Sequence, residues 1–398
     1  MREVLLLCWR DTRHPLGGGS ERYLEEVGAA LAARGVRVTL RTSRYRGSAR
    51  SEIRDGMFIS RGGGRLTVYP RALLAILAGR LGFGPLKTVR PDVVIDTQNG
   101  VPFFARLIAA VPVILLVHHC HREQWPVAGK LLGKLGWWIE SWLSPRVHQA
   151  SQYLTVSLPS AEELGGLGVS PDRIAVVRAG ADAIPPSVQI GSVRTRSAEP
   201  RLCVLSRLVP HKQIEDALHA VARLRTTHPD VQLDVIGDGW WMQPLRDSVR
   251  ELGIESSVTF HGHVSEARKH ELLSRSWVHV MPSRKEGWGL AVIEAAQHGV
   301  PTVGYATSKG LTDSVIDGVT GHLVATPAEL TEAIESLFVD APRRLFMGEK
   351  ARIRASEFSW DLCADGVLTV LESAAAGKPI AGIVNTAPSE LADAARSA

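Results

Sequence analysis

The chain has 398 residues, 45% hydrophobic and 22% charged, which is longer than one hydrophobic core ordinarily supports and apolar enough to fill two. Its four cysteines, Cys8, Cys120, Cys203 and Cys363, are far apart and form no CxxC pair. That spacing argues against a disulfide framework or a structural zinc site and suits a reducing, cytoplasmic setting. The net charge of +5 hides an asymmetry: 22 Lys/Arg against 11 Asp/Glu through residue 150, then 24 against 30, so a basic first half precedes a mildly acidic second half.

The chain opens on MREVLLLCWRD, whose apolar run is too short for a signal peptide and reads as a buried first strand. GGGSER follows at 17–22 and leads into the helical pattern SERYLEEVGAALAARG. Gly18 and Gly19 are therefore expected in an anion-binding loop at a helix start. The dinucleotide fingerprint GxGxxG is incomplete, because Arg22 stands at the third glycine and the loop follows the strand by some seven residues. Arg41 and Arg44, at the end of the second strand, would suit a 2′-phosphate and keep an NADP-dependent oxidoreductase as an alternative.

VPFFARLIAAVPVILLV (101–117) is broken by Arg106 and Pro112 and falls short of the ~20 residues of a membrane span. It is expected to divide at Pro112 into a helix and a strand. HREQWPVAGKLLGKLGWWIESWLSPR (121–146) combines Lys130 and Lys134 with Trp137, Trp138 and Trp142, a helix with an aromatic face and a basic flank. It would serve an anionic membrane surface, a lipid-binding site or an ordinary core, and Glu123, Gln124 and Trp125 at its start are candidate ligand-side residues. The cluster His118, His119, Cys120 and His121 is a poor metal site, since adjacent residues point in different directions.

Short strands such as VRVTLRT, PDVVIDT, PVILLV and YLTVS alternate with helices in the first half, and RLCVLS, VQLDVIG, VTFHG, VHVMPS and PTVGY do so in the second. The expected class is α/β, with two Rossmann-like parallel-sheet domains facing a central cleft. The boundaries are a first domain over 1–182, a Pro/Ser/Gly-bearing linker over 183–200 and a second domain over 201–355. A helix over 356–377 and a disordered tail over 378–398 complete the chain. No nucleic-acid-binding motif occurs.

In the second half, LSRLVPHKQIEDALHAVARL (205–224), LDVIGDGW (233–240), VTFHGHV (258–264), MPSRKEGWGLAVIEAAQHGVPTVGY (281–305) and DGVTGHLV (317–324) occur in that order. Together they resemble the donor half of the GT-B glycosyltransferases of family 4 (glycosyl transferases group 1). The first half resembles the family more thinly, through GGGSE, VILLVHH, VSLPSAEEL and VVRAGAD.

The resemblance implies a nucleotide-sugar site with Arg207 and Lys212 on the diphosphate, where fixed cations stabilise growing charge. The backbone of Gly287, Trp288, Gly289, Leu290 and Ala291 would run past the same phosphates at a helix start. Glu294 would take the ribose hydroxyls, Glu286 the hydroxyls of the transferred sugar, and Gly237 and Gly239 would shape the wall near the base. His118 would stand at the reacting carbon, so His118, Glu286, Arg207 and Lys212 are the expected catalytic set. The helix over 356–377 would cross back onto the first domain.

The implied enzyme is a retaining hexosyltransferase of glycan biosynthesis. It would use a GDP-mannose or UDP-glucose type donor and a lipid-linked or glycan acceptor at the cytoplasmic face, as a cytoplasmic or peripheral membrane protein. No cofactor and no metal is expected, as the chain has no Asp-x-Asp. A catalytically silent nucleotide-sugar-binding protein on the same scaffold is the other alternative.

Overall fold

The computed structural model describes residues 1–125, 129–188 and 196–385. Two compact units make up the chain: residues 1–180 together with the described residues from 360 onward, and Ala181–Ser359. The first unit contains strands β1 (Glu3–Leu7), β2 (Arg37–Thr42), β3 (Ser51–Arg54), β4 (Met57–Arg61), β5 (Val93–Gln98), β6 (Val113–Val117), β7 (Gln152–Thr155) and β8 (Ile174–Val176). The second contains β9 (Arg201–Leu205), β10 (Gln232–Ile236), β11 (Val258–Gly262), β12 (Val278–Met281), β13 (Thr302–Tyr305) and β14 (Gly321–Val324), and the chain then returns to the first unit with β15 (Gly382–Ile383).

Among the described residues, the first sheet runs β15-β8-β7-β6-β5-β1-β2-β4-β3 and the second β11-β10-β9-β12-β13-β14. Their pairings are parallel except for β3 on β4. Strands such as β1 and β6 are buried along their whole length, as a parallel sheet covered on both faces requires. In the first unit Leu5, Leu7, Val94 and Phe103 pack against Ala72 and Ile76 of the helix Val68–Arg80. In the second, Leu202, Val204, Val235 and Val280 pack against the helix Ile214–Leu224. That helix buries Ile214, Ala217, Leu218, Val221 and Leu224, an i, i+3, i+4, i+7 stripe.

Three expectations are corrected. No helix forms over 101–111 beyond the single 3₁₀ turn Ala105–Leu107. The buried carboxylate of Asp96 instead accepts hydrogen bonds from the backbone N–H of Phe103 (2.8 Å) and Ala105 (2.9 Å), and Phe104 turns left-handed between them with φ 58°. The stretch 121–146 is not one helix either: His121–Trp125 is turn, residues 126–128 lie outside the described residues, and the α-helix spans Lys130–Trp138 before a π turn at Ile139–Leu143.

The tail is ordered through Asn385. The side chain of Gln152 bonds both the carbonyl and the N–H of Ile380, Asn385 bonds both backbone groups of Arg178, and β15 covers the edge of β8. An uncovered sheet edge has backbone groups to satisfy, and a short polar segment suffices for that without a large apolar surface. Residues 386–398 lie outside the described residues, as do 189–195 of the linker. The linker's described end is tied down: the part-buried Arg196 guanidinium donates to the carbonyls of Ser274, Ser276, His298 and Gly299.

Candidate functional site

The candidate donor residues lie beyond the carboxyl ends of β9, β10 and β12, where a parallel sheet presents its loops. The loops after β9 and β10 are laced together: Ser206 N–H donates to Ile236 O (3.0 Å), Leu208 N–H to Asp238 O (3.0 Å) and Trp241 N–H to Leu208 O (3.2 Å). A Cβ on Gly237 would sit 1.9 Å from Ser206 O, and one on Gly239 would sit 2.1 Å from Leu208 O. Both glycines are thus demanded by close backbone packing, with Gly237 also at φ 131°. Trp240 is exposed, while Trp241 donates its indole N–H to Glu215.

The loops after β9 and β12 also adjoin, with Arg284 N–H donating to His211 O at 2.9 Å. This brings together two of the expected catalytic residues: Lys212 Nζ lies 2.5 Å from Glu286 Oε1, and both side chains are largely buried. Glu286 is further fixed by backbone bridging to Lys309. Arg207, by contrast, stands exposed on the outer part of its loop. The Trp288 side chain is buried and packs edge-on against Phe358 (5.0 Å, 75°), so it presents only its backbone to a ligand.

Gly289 adopts φ 89° and starts the helix Leu290–Ala296, in which Val292 N–H donates back to Gly289 O at 2.9 Å while the nitrogens of Leu290 and Ala291 have no intrahelical acceptor. Glu294 lies one turn on and accepts from Lys269 Nζ at 2.6 Å, and Lys269 also reaches Glu266 at 2.6 Å. Beneath this loop, burial holds the His279 imidazole neutral, its pKa lowered to about 4. Sequence reasoning missed Lys269, because a lysine on a strongly polar helix looks like a solvated one.

In the first unit Gly18 is the extended N-cap of the helix Gly19–Ala33, but its N–H donates to Glu21 Oε2 at 2.8 Å. Glu21 is buried and also receives Arg10 Nε at 2.7 Å and Asn99 Nδ2 at 3.3 Å. The N–H of Gly18 is thus already taken by a carboxylate of the protein, and the Gly19 backbone stands beside it.

His118 directly follows β6 and is 8% exposed. Its ring stands edge-on to Tyr23 (5.2 Å, 86°), and its carbonyl accepts from Ser160 Oγ at 3.0 Å. Burial lowers its pKa to about 4, and its Nε2 is buried with no hydrogen-bond partner. The imidazole is thus neutral, and one of its nitrogens, beside the sheet's carboxyl edge, has no partner within the protein. Tyr23 and Ser160, which hold the ring and its backbone, carried no sequence signal beyond helical periodicity.

Of the ligand-side candidates, Glu123 is exposed and Gln124 pairs with His119 at 3.0 Å. Trp125 donates its indole N–H to the buried Glu140 at 2.6 Å and fills space left by Gly100 and Gly136, so it anchors the segment. The helix beyond it buries Gly133 and Gly136 and packs Trp137 on the core, but it and the π turn after it turn other large side chains outward: Leu131 is 85% exposed, Leu132 65%, Leu135 52%, Trp138 45% and Trp142 44%. Lys130, Lys134 and Arg146 are exposed with them, and the Arg146 guanidinium lies over the Trp142 ring at 4.1 Å. Among the described residues no helix is long and apolar enough to cross a membrane.

Two parallel α/β sheets with loop sites at their carboxyl edges form the GT-B fold. Sucrose-phosphate synthase from Thermosynechococcus elongatus shares it with a TM-score of 0.79 over 95% of this chain and 100% of that one, at 20% identity. HepE from Anabaena in complex with UDP-glucose shares it with a TM-score of 0.72 over 94% and 100%, at 16% identity. Residues 17–183 match Glycosyltransferase Family 4, and residues 189–354 match Glycosyl transferases group 1. The glycogen synthase of Mycobacterium tuberculosis is 32% identical over 304 residues, 74% of this chain and 72% of that one. The chain belongs to the family 4, group 1 glycosyltransferases.

Proposed function

We propose that this glycosyltransferase moves a hexose, with retention and without a metal ion, from a nucleotide sugar of the GDP-mannose or UDP-glucose type. The observation that carries the reading is the Lys212–Glu286 pair at the carboxyl edge of the second sheet. A cation for the leaving diphosphate and a carboxylate for the sugar hydroxyls belong side by side, because phosphate and sugar are joined at the bond that breaks. Glu294 takes the ribose hydroxyls in this reading. His118 serves the reacting carbon with a nitrogen that is neutral throughout the physiological range. Binding of UDP-glucose by HepE, a protein of the same fold, supports a nucleotide sugar as donor.

For the acceptor we propose a lipid-linked or glycan molecule met at the cytoplasmic face of an anionic membrane. The exposed Leu131, Leu132, Leu135, Trp138 and Trp142 with their flanking Lys130, Lys134 and Arg146 support it.

A thermal-shift screen of UDP, GDP and ADP sugars, followed by assay of nucleoside diphosphate release, tests the donor. Stabilisation by one sugar nucleotide with release of its diphosphate is the expected result. Stabilisation without any release, even to water, would instead identify a silent binding protein.

A further inference from the structure

At the carboxyl edge of the first sheet, an open pocket of about 400 Å³ is lined by Arg41, Arg44, Arg50, Arg71, Ser60 and Gly62, among others. Arg41 is the second-last residue of β2 and lies in register with Leu7 of β1. It is only 4% exposed. Its Nη1 donates to Ser60 Oγ at 2.8 Å, while its Nε is buried with no partner at all.

The adjacent Arg61 shows how this fold neutralises a buried guanidinium when the charge is purely structural: it is ion-paired to both Asp11 and Glu52. Arg54 likewise has Glu25. Among the described residues no carboxylate pairs with Arg41, Arg44, Arg50 or Arg71. Burial depresses the pKa of Arg41, and the charge of Arg71 depresses it further.

A desolvated guanidinium without a counter-ion, ringed by three more of its own sign, is unfavourable unless an anion completes the arrangement. Gly62 keeps the place open, since a Cβ there would stand 2.2 Å from Arg41 Nη2.

We propose that this pocket binds a phosphate-class oxyanion, and, resting on the reading above, that the anion is carried by the acceptor. Planar guanidinium forks match tetrahedral oxyanions, and a hydroxyl such as that of Ser60 completes the donor set. The pocket lies at the same sheet edge as His118, and the strand order β6-β5-β1-β2 puts three strand spacings, roughly 14 Å, between them. An acceptor held there would bear its phosphate some distance from the hydroxyl that is glycosylated.

The test is titration of inorganic phosphate into the full chain, without donor, read by phosphorus NMR line broadening. Wild type, Arg41→Gln, Arg71→Ala, Gly62→Ala and Lys212→Ala are compared. Saturable binding is expected, about 10- to 100-fold weaker in the three pocket variants, with the Arg71-dependent binding persisting in Lys212→Ala. Arg71 is exposed, so its variant keeps the test valid if Arg41→Gln does not fold. Undiminished binding in Arg71→Ala and Gly62→Ala, or binding abolished by Lys212→Ala, overturns the proposal.

Vesicles containing phosphatidic acid distinguish the source of the anion. Vesicle binding that falls in Arg71→Ala and is competed by inorganic phosphate assigns it to a lipid headgroup. Vesicle binding indifferent to Arg71, with phosphate binding still dependent on it, assigns a soluble phosphate ester. A protein that binds phosphate through Arg71 yet transfers no sugar would sink the transferase reading and leave the anion site standing.

Discussion

The ammonium of Lys212 and the carboxylate of Glu286, 74 residues apart in sequence, meet at 2.5 Å where the loops after β9 and β12 touch. Without ligand each neutralises the other, so a nucleoside diphosphate competes with Glu286 for the lysine. Lys212→Ala is expected to lower turnover ~10²-fold or more, because the charge it faces grows as the glycosidic bond breaks. Glu286→Ala is expected to lower turnover while the bare diphosphate binds as tightly or more tightly, Lys212 being released. Calorimetry with the diphosphate and initial rates with the donor read the two effects separately. Loss of diphosphate binding in Glu286→Ala, with turnover intact in Lys212→Ala, would mean the donor is placed backwards.

Glu294 has two jobs to separate. Holding the ribose alike in ground and transition state, it should act on the donor KM more than on kcat when changed to Ala. It also satisfies Lys269, which is 7% exposed in its side chain and keeps only Glu266 when Glu294 is removed. Glu294→Ala is therefore expected to cost about 1–3 kcal/mol of stability as well. Lys269→Met should lower Tm without eliminating donor binding. If Glu294→Ala lowers Tm and leaves KM untouched, the carboxylate is structural.

Acid should destabilise the protein in a defined window. Burial lowers the pKa of His118, His148 and His279 to about 4 and, with nearby positive groups, that of His298 to about 3. Each folded value lies below the unfolded one near 6.5. The unfolded chain thus takes up protons first, and stability present above pH 6.5 is lost progressively toward pH 4. Asp96, raised to about 6 by burial, works the opposite way between its unfolded value near 3.8 and 6, and Glu25 is raised by burial too, but they are two groups against six histidines, since His14 and His322 are lowered as well. Tm measured from pH 7.5 to 4.5 should fall monotonically below 6.5. A flat profile would contradict these neutral burials.

Much of the scaffold was legible because short runs of apolar and β-branched residues alternate with helical patterns: VRVTLRT, PVILLV and RLCVLS each became a strand. The β3–β4 hairpin was missed although Asp55-Gly56, with φ 49° and 77°, carries the favoured two-residue turn, since flanking polar residues masked the strands. The 101–111 helix failed because a buried carboxylate, Asp96, captured the backbone that an apolar pattern assigned to a helix. Motif spacing brought Lys212 and Glu286 to adjoining loops, whereas the pairing of Lys269 with Glu294 and the seating of His118 on Tyr23 depend on helix packing that a single sequence does not display.

The outward face of the helix Lys130–Trp138 and the π turn after it inverts the usual arrangement: Gly133 and Gly136 are inside with Trp137 packed on the core, while Leu131, Leu132, Leu135, Trp138 and Trp142 stand in solvent. Exposure of that much apolar surface is unfavourable in water and favourable at a bilayer interface, where the aromatic rings sit among headgroups and flanking lysines face anionic lipid. The protein should therefore co-sediment with phosphatidylglycerol vesicles, more strongly at low than at high salt, because screening weakens only the electrostatic part. Leu132→Ser and Trp142→Ala should weaken binding at both salt concentrations, while a Lys130→Glu, Lys134→Glu double variant should remove most of the salt dependence. Since these side chains are largely solvent-facing, Tm should change little in any of them. Protein that remains in the supernatant at both salt concentrations, with Tm unaffected by the substitutions, would show that the face serves no membrane and that the acceptor is met in solution.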